Sequence, residues 1–187
     1  MLILKEEDFV GKGNERACYL HPEDKNKAIK VTYENNNRKK SKQTKIEVAY
    51  YKKLIKRGLD NWKHLPKFYG EVNTDKGKGF IVDIIRDYDG EISKTFAHYI
   101  KENGLETYKK EIETYKKYFL DNRIIFNFGM MPKNILLRKN SETDFDLVLI
   151  DGLGDVSHLT IQNIIPYFAR RRINSRWRKF EAKYLKK

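Results

Sequence analysis

Cysteine is almost missing from this chain: Cys18 stands alone among 187 residues. A single thiol forms no internal disulfide framework and cannot by itself build a thiolate zinc site. The four histidines lack metal-ligand spacing, and no nucleophile elbow of the Gly-x-Ser-x-Gly type occurs. Long apolar runs are missing as well. None approaches the roughly 18 to 20 residues that span a bilayer. Met1-Leu2-Ile3-Leu4 is shorter than the apolar segment of a secretory signal and runs directly into Lys5-Glu6-Glu7-Asp8. The expected compartment is therefore the reducing cytoplasm. Zinc-finger, helix-turn-helix and RNP signatures are absent too, which leaves sequence-specific nucleic-acid binding without a motif.

What is present is apolar content and positive charge. Hydrophobic residues make up 40% of the chain, enough for a packed core. Lys and Arg number 39 against 26 Asp and Glu, a formal charge of +13. Such an excess favours anionic partners: nucleotides, an acidic protein, a membrane surface or nucleic acid. The charge gathers at Arg38-Lys39-Lys40-Ser41-Lys42, at Lys52-Lys53 through Arg57, and over 170–187. A solvated helix face accounts for much of it. In the tail, Tyr167, Phe168, Trp177 and Phe180 are expected to pack into the core, the other reading being a basic-aromatic binding surface.

Periodicity divides the chain into a β-rich first half and a mostly helical second half. Residues 9–19 read as a strand, a glycine turn and a strand, and 28–33 as a third strand after a polar turn. The polar stretch 34–40 reads as a loop. A helix follows over 41–56 with Ile46, Ala49, Tyr50 and Leu54 at helical spacing and Arg57-Gly58 as its stop. Segments 64–72 and 79–85 read as two strands joined by a hairpin turn. Helices are expected over 95–103, 105–121 and 161–185, with short buried strands at 135–137 and 147–150. The fold class is α+β, as one domain over 1–187.

Four pieces of this layout carry chemistry. Gly11-Lys12-Gly13 lies between strands, where missing Cβ atoms let backbone approach an anion; a plain hairpin turn is the other reading. Lys30 stands in Ala28-Ile29-Lys30-Val31, with Ile29 and Val31 directed to the opposite face, so that Lys30 would point alone from its own. Glu47, seventeen residues later on the next helix, is a natural counter-ion. Asn134 precedes a short apolar strand and Asp151 follows another, the positions from which a carboxamide and a carboxylate reach a magnesium ion; a turn cap and an Asx turn are the plainer alternatives.

Together with Ala17-Cys18-Tyr19, His21-Pro22-Glu23-Asp24, Tyr50-Tyr51, Pro66-Lys67-Phe68-Tyr69-Gly70, Asp121-Asn122-Arg123-Ile124 and Pro132-Lys133-Asn134-Ile135-Leu136, these residues resemble the YrbL family, bacterial proteins associated by name with the PhoP regulatory network. The resemblance implies a protein-kinase-like, two-lobed fold: a β-rich N-lobe over 1–89 and a short, mostly helical C-lobe over 90–187. It implies a site for ATP and Mg²⁺ in which Gly11 and Gly13 cover the phosphates, Lys30 holds them, Glu47 orients Lys30, and Asn134 and Asp151 bind metal. The catalytic base would stand five residues before Asn134, and that position is Gly129, whose side chain accepts no proton. Three readings result: a nucleotide-binding regulatory protein with weak or absent phosphotransfer; an active atypical kinase or transferase whose base is supplied elsewhere, with Asp155 a candidate substitute; and a non-catalytic interaction module using the basic surface.

Overall fold

Strand alternation sets the first half of the molecule. In the computed structural model, residues 1–13, 15–32, 40–127, 131–154 and 166–184 are described, without the side chains of Lys40, Ser41 and Pro166. Strands β1 (Phe9–Lys12), β2 (Arg16–Leu20), β3 (Lys27–Thr32), β4 (Phe68–Thr74) and β5 (Gly77–Asp83) form one antiparallel sheet in the order β1-β2-β3-β5-β4. Because successive side chains leave a strand on opposite faces, Ala17, Tyr19, Ile29 and Val31 gather on one face, where they join Leu4 in a small apolar cluster. Cys18 pairs with Lys30, and Lys30 with Phe80, so these residues and Arg16 share the other face. Lys30 therefore does not point alone. Close approach of β5 to β3 requires Gly79: a Cβ there would lie 2.7 Å from the Lys30 carbonyl oxygen.

Helix α1 (Lys40–Lys56) covers that second face. Its Tyr51 stacks on Phe68, with ring centres 5.2 Å apart, and tilts against Phe80. Ile46, Tyr50 and Leu54 are buried as expected, and one residue of the expected face is not. Ala49 is exposed, whereas Glu47, Tyr50, Tyr51 and Leu54 are the residues turned fully inward. Their spacing is helical, but the stripe is centred on a carboxylate, which a search for apolar periodicity passes over. The helix ends as expected, with Gly58 at φ 72° shortly after its last turn.

The second half contains α2 (Phe96–Asn103), α3 (Lys109–Asp121), an antiparallel hairpin of β6 (Ile135–Lys139) and β7 (Phe145–Leu149), and α4 (Pro166–Tyr184). One continuous core joins both halves. It runs from Ala28, Phe68 and Phe80 through Tyr51 and Leu54 to Tyr115, Phe119, Leu137, Leu149 and Trp177. Buried His64 ties the approach to β4 onto β7, its Nδ1 lying 2.7 Å from the Leu147 carbonyl oxygen. Burial holds the His64 pKa below its usual value, partly offset by that contact and by Asp146.

On α4 the inward stripe is Ala169, Ile173, Trp177 and Phe180. Trp177 and Phe180 pack as expected, but Tyr167 and Phe168 are exposed. They precede the stripe and fall outside its angular width. Arg170, Arg171, Arg178, Lys179 and Lys183 occupy the exposed part of the helix. Among the described residues no helix is long and apolar enough to cross a membrane. Gly129, Asp155 and nearly all of the loop expected over 34–40 lie outside the described residues.

Candidate functional site

The polar face of the sheet and the end of the β6–β7 hairpin meet at one cluster of charges. Lys30 extends from β3, donates a hydrogen bond to the Ile150 carbonyl oxygen, and lies 3.7 Å from Oε1 of Glu47. Glu47 arrives from α1 and is 0% exposed. A third residue, not anticipated from the sequence, completes the cluster. Arg16 on β2 donates from Nη2 to Glu47 Oε2 at 2.9 Å, and the same nitrogen forms a close ion pair with Asp151 Oδ1. Burial on its own would lower the pKa of this guanidinium, but the fields of Glu47 and then Asp151 outweigh it and raise the value. The Phe80 ring underlies both cations, 5.5 Å from the Arg16 guanidinium and 5.7 Å from the Lys30 ammonium. Cys18 sits between them on the same face. Burial pushes its thiol pKa up, with Lys30 and Arg16 acting in the opposite sense.

The cluster is not saturated. Glu47 Oε1 and Arg16 Nη1 are buried without hydrogen-bond partners. Buried polar atoms of this kind are uncommon in folded proteins and call for a reason.

Asn134 and Asp151 are brought together by strand pairing. Ile135 on β6 is opposite Leu149 on β7, and the Ile150 N–H donates to the Asn134 carbonyl oxygen at 2.9 Å. The two candidate metal ligands therefore leave the same end of the hairpin. Asp151 is half exposed and accepts a hydrogen bond from the Gly152 N–H at 2.8 Å. The Asn134 carboxamide makes no hydrogen bond among the described residues. No group of three or more His, Cys, Asp or Glu among them is arranged to hold a metal ion. Of the two oxygen donors, the Asn134 carboxamide is unengaged but Asp151 Oδ1 is already held by Arg16, so Mg²⁺ fits here only by displacing the guanidinium.

Segment 152–154 is pinned in place. Gly154 has φ 79°, and a Cβ there would come within 2.9 Å of Tyr50 Cβ. Leu153 enters the core, the Gly154 N–H donates to Ile125 O, and the Asn127 N–H donates to Gly152 O at 2.7 Å. The Tyr50 hydroxyl accepts from the Ile125 N–H at 2.7 Å, and burial raises its pKa to about 12. Helix α1 thus supplies both Glu47 and the anchor for the chain that leads to residue 127. At the start of β2, the Gly13 N–H closes the β1–β2 turn onto Arg16 O at 2.8 Å. Among the described residues, a Cβ on Gly11 or Gly13 would meet no atom closer than 3.9 Å, so their packing places no demand for glycine at either position. A small apolar cluster of Ile85, Leu136 and Val148, with Ile150 against it, lies between the strand leaving β5 and the hairpin. It too was not anticipated, because four residues scattered over three segments have no sequence pattern.

Comparison with known proteins bears on the fold and the family. A crystal structure of a kinase domain superposes with a TM-score of 0.53 at 19% identity, covering 79% of this chain. The chain spans about half, 51%, of the length of that solved kinase domain. The fold is accordingly protein-kinase-like. The YrbL proteins of Escherichia coli strain K12 and Shigella flexneri are each 31% identical over 186 residues, covering 97% of this chain and 87% of theirs. The family described as PhoP regulatory network protein YrbL matches residues 2–185, and with near-complete coverage by both comparisons the chain belongs to the YrbL family.

Proposed function

We propose that this protein is a nucleotide-binding regulatory member of the kinase-like fold, with weak or absent phosphotransfer. The observation that carries the reading is the buried charge cluster, in which Lys30 and Glu47 approach to 3.7 Å while Lys30 also reaches the residue before Asp151. A lysine held in this way keeps its ammonium aimed at one place, where it would bind the α/β-phosphates of a nucleoside triphosphate. The base would lie toward the apolar cluster of Ile85, Leu136 and Val148 and the partly exposed Ile150 beside it. Mg²⁺, which the resemblance would set on Asn134 and Asp151, would have to take Asp151 from Arg16. The position of the usual base is Gly129, which can neither orient a hydroxyl nor take its proton.

Phosphoryl transfer depends chiefly on positioning and electrostatics, so loss of the base lowers the rate and does not by itself abolish the chemistry. An active enzyme with Asp155 as substitute base is the runner-up. Calorimetric titration of ATP with Mg²⁺ tests the main reading. The expected result is binding that weakens by about tenfold or more, roughly 1.4 kcal/mol, in Lys30→Ala. Absence of heat with the wild-type chain defeats it. Transfer of labelled phosphate from ATP to a panel of small-molecule acceptors, lost in Asp155→Ala, would favour the runner-up.

A further inference from the structure

We propose that Arg16 is a resident cation at the metal position of the cleft: it occupies Asp151 in place of a divalent ion, and the cleft accepts polyphosphate with little dependence on metal. The ligand class rests on the nucleotide reading above; the assignment of Arg16 rests on its own contacts. The Arg16 Nη2 bridges Glu47 Oε2 and Asp151 Oδ1, and the side chain is 9% exposed.

Formal charges explain what the bridge does. Lys30, Glu47 and Asp151 alone sum to −1, a set that draws in a dication beside a phosphate. Arg16 brings the sum to zero. A divalent ion then finds no net negative charge and must also displace the guanidinium from Asp151. A polyanion instead meets two cations whose partners are already in place.

Two details separate this role from an ordinary structural ion pair. Burial of Arg16 requires a counter-ion, and Glu47, fully buried, supplies one; Asp151 is half exposed and does not need Arg16 for solvation. Moreover, Arg16 Nη1 is buried with no hydrogen-bond partner. This leaves a guanidinium nitrogen with donors to spare, and guanidinium donors match phosphate oxygens well.

The test titrates Mn²⁺ alone into the full chain, read by water-proton relaxation. Wild type and Asp151→Asn are expected to bind Mn²⁺ equally weakly, since Asp151 is already engaged. Arg16→Gln is expected to bind it about tenfold more tightly, which corresponds to roughly 1.4 kcal/mol, and Arg16→Gln/Asp151→Asn to lose that gain. Equal Mn²⁺ affinity in wild type and Arg16→Gln overturns the assignment. Tight Mn²⁺ binding by wild type that Asp151→Asn removes also overturns it, and this arm needs no change at buried Arg16 should Arg16→Gln fail to fold. With ATP, wild type is expected to bind within about threefold in EDTA and in Mg²⁺, a difference of less than roughly 0.7 kcal/mol; a requirement for Mg²⁺ of a hundredfold overturns the proposal. If the Mn²⁺ contrast holds while no variant binds ATP, Arg16 keeps its assignment and the nucleotide reading alone falls.

Discussion

Asp146 and Glu47 are both buried carboxylates, yet their surroundings differ in kind. Asp146, on β7, accepts from Arg138 Nη2 and Asn140 Nδ2 at 2.8 Å each on one oxygen and faces Lys63 Nζ at 3.0 Å with the other. Burial works to raise its pKa, but Arg138, Asn140 and Lys63 together bring it below the usual carboxylate value. Every oxygen is used, and the surrounding cations stay partly in water. Glu47 has one oxygen on Arg16 and another with no hydrogen bond, in a place water does not reach. A satisfied network of the first kind serves the fold. The second keeps buried polar capacity in reserve, and such capacity concentrates where a protein does something besides fold.

Substitution offers three ways to press on this contrast. Glu47→Ala should have the largest effect, since it leaves Arg16 and Lys30 buried with less compensation. A loss of about 3–5 kcal/mol in stability is expected from denaturant unfolding. Asp146→Ala should cost about 1–3 kcal/mol, because Lys63 and Arg138 can turn to solvent once their acceptor is gone. A matching dependence on pH accompanies it. The folded-state pKa of Asp146 lies below the ordinary 3.8, so its contribution is complete above that value and is lost as pH falls through the lower, folded-state value. In Asp146→Ala this part of the acid sensitivity should disappear from thermal melts. Asp151→Asn should move stability least, by less than about 1 kcal/mol, as its side chain is half exposed and its ion pair is screened. A loss there as large as that of Glu47→Ala would dissolve the distinction between the two networks.

Lys30, Glu47, Asn134 and Asp151 were legible as candidates because each interrupts or borders an apolar run: Lys30 inside a strand, Glu47 inside a helix, and Asn134 and Asp151 at the ends of short strands. The five-stranded sheet was legible from such runs. Arg16 was not. In sequence it follows a glycine turn and a glutamate, the setting of an ordinary surface cation. The signal that would have found it is parity: Arg16 and Cys18 are two apart on β2, and the register sets Cys18 against Lys30. That register depends on the β2–β3 turn, closed by the His21 N–H on the Lys27 carbonyl oxygen, whose length the sequence leaves open. On α1, Ile46, Tyr50 and Leu54 were legible as inward residues, but Glu47 reads as polar, so the stripe seemed to include Ala49 in its place. Gly129 and Asp155 lie outside the described residues.

Glu47 and Tyr50 are three residues apart on α1 and therefore sit on one side of it, one turn from each other. One points into the charge cluster; the other holds the Ile125 N–H and packs on the Cα of Gly154. Mechanically, α1 is a crank with two pins. Because one helix carries both, a rotation that drew Glu47 from Lys30 would also shift Tyr50 against Ile125 and Gly154.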